Sequence, residues 1–159
     1  MNIKKAVIIL LVSVVFAGGV WFAKNYKSRI EYKNNEYGLS FALPQDWKSY
    51  SVVTGAWEGY VTGPKGDTPF EHGLLLSIRN PKWTAKNPYQ DIPIMVFTLA
   101  QWNLLQSDKF HIGAAPINPS ELGRNAQYVF ALPACYNFAF PAGFEEVQKI
   151  LDARPLRVF

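Results

Sequence analysis

Residues 36–47, EYGLSFALPQDW, place apolar side chains at 37, 39, 41 and 43 and small residues at 38, 40 and 42. A period of two predicts a strand with one face to pack on helices and one open to close approach. Pro44 cannot donate to a ladder, so it ends that strand and aims Asp46 and Trp47 at a sheet border. Upstream, residues 30–33 and the Asn34-Asn35 pair predict a hairpin whose asparagines take the left-handed turn positions. Residues 50–54 predict a third strand, which the stretch from Gly55 to Tyr60 extends or bulges. After the Gly/Pro-rich turn at 63–69, residues 74–79 predict a central strand. Residues 92–97 predict another, with Pro93 at its start. Thr98-Leu99-Ala100-Gln101 has the form of a capping box, so a helix is expected to about Ser107, burying Leu99, Trp102 and Leu105. Residues 127–132 predict a strand stopped by Pro133. Residues 141–152 predict a helix that opens on proline and carries Glu145 and Glu146 in its first turn.

One stretch follows neither period. Residues 6–23, AVIILLVSVVFAGGVWFA, are uncharged and bracketed by Lys4, Lys5 and Lys24. As a helix this run would extend about 27 Å, close to the ~30 Å hydrocarbon core, with lysines and Trp21 to cover the difference. It reads as a signal-anchor, the amino terminus inside and the domain outside the cytoplasm. Cleavage near Ala17-Gly18-Gly19 is the rival and would leave a secreted protein, but the apolar run continues through Phe22. Two parts are expected: residues 1–29, the anchor with basic flanks, and residues 30–159, one globular domain.

Charge then changes the meaning of the basic balance. The net charge is +4, yet residues 1–29 hold five basic side chains and no acid. Residues 30–159 are left with 11 basic and 12 acidic side chains, a net of −1. No basic face is available to neutralise phosphates, so nucleic acid is excluded as a partner; the basic cluster belongs to the membrane. Cys135 is the single cysteine. It can form no internal disulfide, and its setting between Ala134 and Tyr136 predicts a buried or half-buried small hydrophobe.

Candidate chemistry is sparse. Glu71-His72 and Asp108 with His111 bring carboxylates near histidines, but neither has metal-ligand spacing, and solvated loops explain both. The turn at 63–67 lacks the second half of a phosphate loop, and Ser40 sits in no nucleophile elbow. No catalytic residue, metal ligand or cofactor is assigned. The best candidate for contact is the loop at 80–91, NPKWTAKNPYQD, which is long, aperiodic and restrained by proline. Its Trp83 and Tyr89, with Lys82 and Asn87, are expected to meet a partner.

The pattern Tyr37-Gly38-Leu39-Ser40-Phe41, Leu43-Pro44, Trp47 resembles the opening of PsbP-like domains. WTAKNPYQDIPIMVFTLAQWNLLQ, GAAPINPSELGRNAQYVFALP and GFEEV resemble an uncharacterised family of small exported or membrane-anchored bacterial proteins. The resemblance implies an α+β fold, an α/β/α sandwich with a largely antiparallel central sheet, and a non-catalytic accessory or binding role. The expected function is therefore a membrane-anchored extracytoplasmic module for a protein or cell-envelope ligand. The alternatives are a subunit of a membrane complex using Ala17-Gly18-Gly19 for helix contacts, and an enzyme with an unfamiliar site.

Overall fold

The computed structural model describes residues 29–114 and 117–159. The expected membrane segment at 6–23 lies outside the described residues, and among those no helix is long and apolar enough to cross a membrane. Among the described residues the fold is mixed and sheet-rich, with two helices and two antiparallel sheets.

The smaller sheet has the order β1-β2-β8, from Arg29–Asn34, Leu39–Pro44 and Leu156–Val158. Leu39, Phe41 and Leu43 of β2 are fully buried, as the alternation predicts. Pro44 closes the strand and leads into a 3-10 turn, Gln45–Trp47. The β1–β2 turn departs from expectation. Gly38, at φ 68°, supplies the left-handed position, while the Asn34 side chain accepts the Tyr37 N–H at 3.0 Å. The asparagine acts through its amide oxygen and not through its backbone.

The larger sheet runs β3-β4-β5-β7-β6: Ser51–Gly63, Gly66–Arg79, Ile92–Thr98, Tyr128–Leu132 and Ser120–Arg124. The short strands expected at 50–54 and 74–79 are the inner ends of a long hairpin, whose register shifts at Gly59/Tyr60. Glu71 and His72 therefore lie in β4 and not in a loop, where the Gln101 amide donates to the Glu71 carboxylate and the His72 carbonyl. Asp108 occupies a left-handed position after the first helix.

Both faces of this sheet are covered. The alternation along β5 shows how: Ile92, Ile94 and Val96 face one core, Met95 and Phe97 the other. The first core is completed by β2, Trp47 and Val147, Ile150 and Leu151 of helix α2, Phe144–Asp152. The second holds Trp102 and Leu105 of helix α1, Leu99–Gln106, with Trp57 and Phe110. Helix α1 begins at the expected capping box, in which Thr98 Oγ1 accepts from Gln101 N and Gln101 Oε1 from Thr98 N. Helix α2 starts three residues later than expected, because Gly143 at φ 85° is its N-cap. Cys135 also departs from expectation: it is exposed, at φ 55° in the turn after β7.

Candidate functional site

The loop at 80–91 is held shut at its base. Asp91 accepts the Asn80 N–H at 2.9 Å through one oxygen and the Arg79 guanidinium at 3.2 Å through the other. Inside the loop, Asn80 Oδ1 takes the Lys82 N–H, and Thr84 and Asn87 exchange backbone hydrogen bonds. These contacts satisfy a backbone that proline has already restrained, so the loop is ordered without belonging to a sheet.

Its four candidate residues separate into two groups. Trp83 is half-buried beneath the Arg79 guanidinium, 3.9 Å from the ring centroid, and belongs to neither core. Asn87 is exposed on the Thr84 turn. Lys82 and Tyr89 point to helix α2 instead. The Lys82 ammonium donates to Glu146 Oε2 at 3.0 Å, and that carboxylate holds its pKa above the ordinary lysine value. Tyr89 bridges to Ala142, and Gln90 N donates to the Ala142 carbonyl at 2.8 Å. Gly143 is required where these segments meet: besides its positive φ, a Cβ there would lie 3.0 Å from Tyr89 Cδ1 and 3.3 Å from Asn80 Nδ2.

Ala142, Gly143 and Glu146 line the front of the same structure, a groove of about 680 Å3 between the end of β2 and helix α2. Its walls are mainly apolar, from Leu43, Pro44, Phe140, Phe144, Ile150 and Pro155, with Arg29, Asp46, Glu145 and Lys149 around them. Volume and lining suit a small ligand or a few side chains of a peptide. Glu146 is the joint between groove and loop. Its Oε1 accepts the indole N–H of Trp47 at 2.9 Å, while Oε2 takes Lys82. Trp47 is 1% exposed, so this carboxylate satisfies a donor that has no access to water.

The tryptophans and Tyr89 fall into two sets. Trp47 and Trp57 are core residues on opposite faces of the sheet, and Trp83 and Tyr89 remain at the surface. The groove itself escaped sequence reasoning, since its walls come from β1, β2, the turn after β7 and α2. The one signal in the chain was the run PAGFEE, in which a glycine precedes acids that favour a helix N-terminus.

His111 is placed elsewhere, on the hairpin of β3 and β4. It exchanges backbone hydrogen bonds with Tyr60, and its ring lies 3.2 Å from Thr62 Oγ1 and 3.5 Å from Asp67. This pins the hairpin to the segment after α1. Among the described residues no group of three or more His, Cys, Asp or Glu side chains is arranged to hold a metal ion. No family model, curated protein or solved structure matches the chain.

Proposed function

We propose that the protein is a membrane-anchored, non-catalytic binding or accessory module acting outside the cytoplasm, with a PsbP-like α/β/α domain. The α2 groove is its ligand-holding surface. The observation that carries this reading is the groove itself: an open, mainly apolar trough in which the Glu146 carboxylate is committed to Trp47 and Lys82. A carboxylate held by two donors supports an architecture for holding and not for shuttling protons. The ligand class is an apolar group attached to a polar or charged one, able to meet Arg29, Asp46, Glu145 or Lys149 at the rim.

The test is capture from crosslinked membranes with the full-length protein and with Ala153→Trp. Ala153 is exposed and lines the groove, so a tryptophan there fills the groove while leaving both cores intact. Loss of the captured partner, with an unchanged melting curve, is expected. Undiminished capture would refute the groove as the binding surface. A second reading, a complex subunit assembled through the anchor, predicts instead that a chain truncated before Arg29 captures nothing while Ala153→Trp captures normally.

A further inference from the structure

Phe138 and Phe140 are the most exposed large hydrophobic residues of the domain, at 81% and 69%. Single exposed hydrophobics are ordinary, but two within three residues of one turn, one of them lining an apolar groove, concentrate apolar surface at one place. The turn is built to keep them outside. Phe138 N donates to Cys135 O and Phe140 N to Asn137 O, both at 2.9 Å. Cys135 and Phe140 both sit at positive φ, 55° and 46°, a conformation unfavourable for side-chain-bearing residues. The Phe140 ring is propped edge-on against Phe144 at 5.1 Å, and Ala142 is held by Gln90. A segment held this firmly is not simply failing to find the core.

Its position suggests what covers it. Phe140 lines the groove together with Arg29, the first residue of β1. Only five residues, Lys24 to Ser28, separate Arg29 from the apolar run at 6–23. Fully extended, such a linker reaches about 20 Å at ~3.5 Å per residue. If the run spans the bilayer, Arg29 is tethered within that distance of the headgroups, and the groove it shares with Phe140 opens beside that tether. The acidic Asp46 and Glu145 share the groove with Arg29 and Lys149, so the charges there largely cancel and the attraction is apolar. We propose that the Phe138–Phe140 turn is a bilayer-contacting element that seats its two rings at the headgroup boundary beside the anchor and turns the groove mouth toward the membrane. This rests on the reading of residues 6–23 as a membrane span. The occupant is the interfacial layer of a neutral bilayer, where aromatic rings partition favourably.

Cys135, exposed and the only cysteine, provides the probe. Full-length protein would be spin-labelled at Cys135 and reconstituted into phosphatidylcholine vesicles, then read by collision with oxygen and with a water-soluble nickel chelate. A Lys65→Cys label in a Cys135→Ser background, at the distant tip of the β3–β4 hairpin, supplies the aqueous reference. The expected result is an oxygen-to-nickel ratio at Cys135 severalfold above the reference, unchanged by salt and lowered to the reference by Phe138→Ser with Phe140→Ser. Both phenylalanines are exposed, so folding should survive, as circular dichroism would verify. Protein that floats with the vesicles but shows a water-like label at 135 overturns the proposal. Protein that fails to float overturns the anchor reading beneath it. Dipolar broadening between labels would assign the turn to a second copy of the chain and likewise overturn contact with lipid.

Discussion

Replacing Glu146 tests whether loop and groove are one structure. In Glu146→Ala the indole N–H of Trp47, the buried last residue of the 3-10 turn, loses its acceptor 2.9 Å away. A buried donor left without a partner costs ~1–3 kcal/mol, and hydrogen bonds to charged acceptors lie toward the upper end. Removal of an acid from the first turn of α2 adds ~0.3–1 kcal/mol. The expected loss is therefore ~2–3 kcal/mol. Glu146→Gln keeps an oxygen for Trp47 and surrenders only the charge, so it should cost ~1 kcal/mol. Lys82→Ala should move the urea midpoint far less than either, because the lysine side chain is 55% exposed and its pairing is screened by solvent.

The assay is urea unfolding of the full chain in detergent, followed by tryptophan fluorescence, and the decisive form is a double-mutant cycle with Trp47→Phe. Phenylalanine lacks the N–H, so in that background Glu146→Ala should cost ~1 kcal/mol or less, a coupling of ~1–2 kcal/mol. A coupling near zero would refute the assigned role of the indole bond. A Lys82→Ala effect as large as that of Glu146→Ala would do the same, by making the surface pair dominant.

The other predictions test the loop, the glycines and the tyrosines. Trp83→Ala removes a half-buried ring beneath Arg79 and no core residue; melting should fall by the ~0.5–1 kcal/mol of a surface cation–π contact, while partner capture weakens by ~2 kcal/mol. A folding cost of ~3–5 kcal/mol would assign Trp83 to packing instead. Gly143→Ala forces a Cβ against Tyr89 and a side chain into φ 85°, so it should destabilise by more than ~1 kcal/mol and shift the Tyr89 resonances; a silent variant would contradict the geometry. Gly73→Ala would bring Cβ within 2.5 Å of the Trp57 ring, which covers that glycine, and should expel the indole and redshift its emission. Burial raises the phenol pKa values of Tyr37, Tyr50 and Tyr136 above the ordinary 10.0. Stability that is full below that value should fall as pH rises through the raised values, in step with tyrosinate absorbance, and Tyr50→Phe should lessen the fall.

What the sequence made legible was whatever local chemistry decides. The capping box at Thr98 and Gln101, the alternation of Leu39, Phe41 and Leu43, and the stops at Pro44 and Pro133 each depend on residues within four positions of one another. Long-range pairing was not legible. Strand β8, Leu156–Val158, is only three residues long, too short for its apolar-polar-apolar alternation to advertise it, yet it pairs with β2 from the far end of the chain. Strand β6, SELGR, is half polar because it is a sheet edge, and it escaped notice for that reason. Cys135 was misread because its apolar neighbours suggested burial, whereas the turn after β7 carries that run outward.

The candidate site divides along the same line. The loop at 80–91 could be recognised because proline and asparagine restrain it locally, but the direction of its side chains was set by Glu146, 64 residues from Lys82 and 99 from Trp47. That carboxylate joins the 3-10 turn after β2, the loop and the first turn of α2, three elements with no proximity in sequence. Any ligand seated in the groove rests on Ala142, Gly143 and Glu146, which are the residues that hold Tyr89, Gln90 and Lys82 from behind. Occupancy of the groove should therefore register at Tyr89 and Lys82 without either residue touching the ligand. A contact surface on the loop and a groove on the helix are accordingly two sides of one wall, and substitutions on either side should be coupled when partner binding is measured.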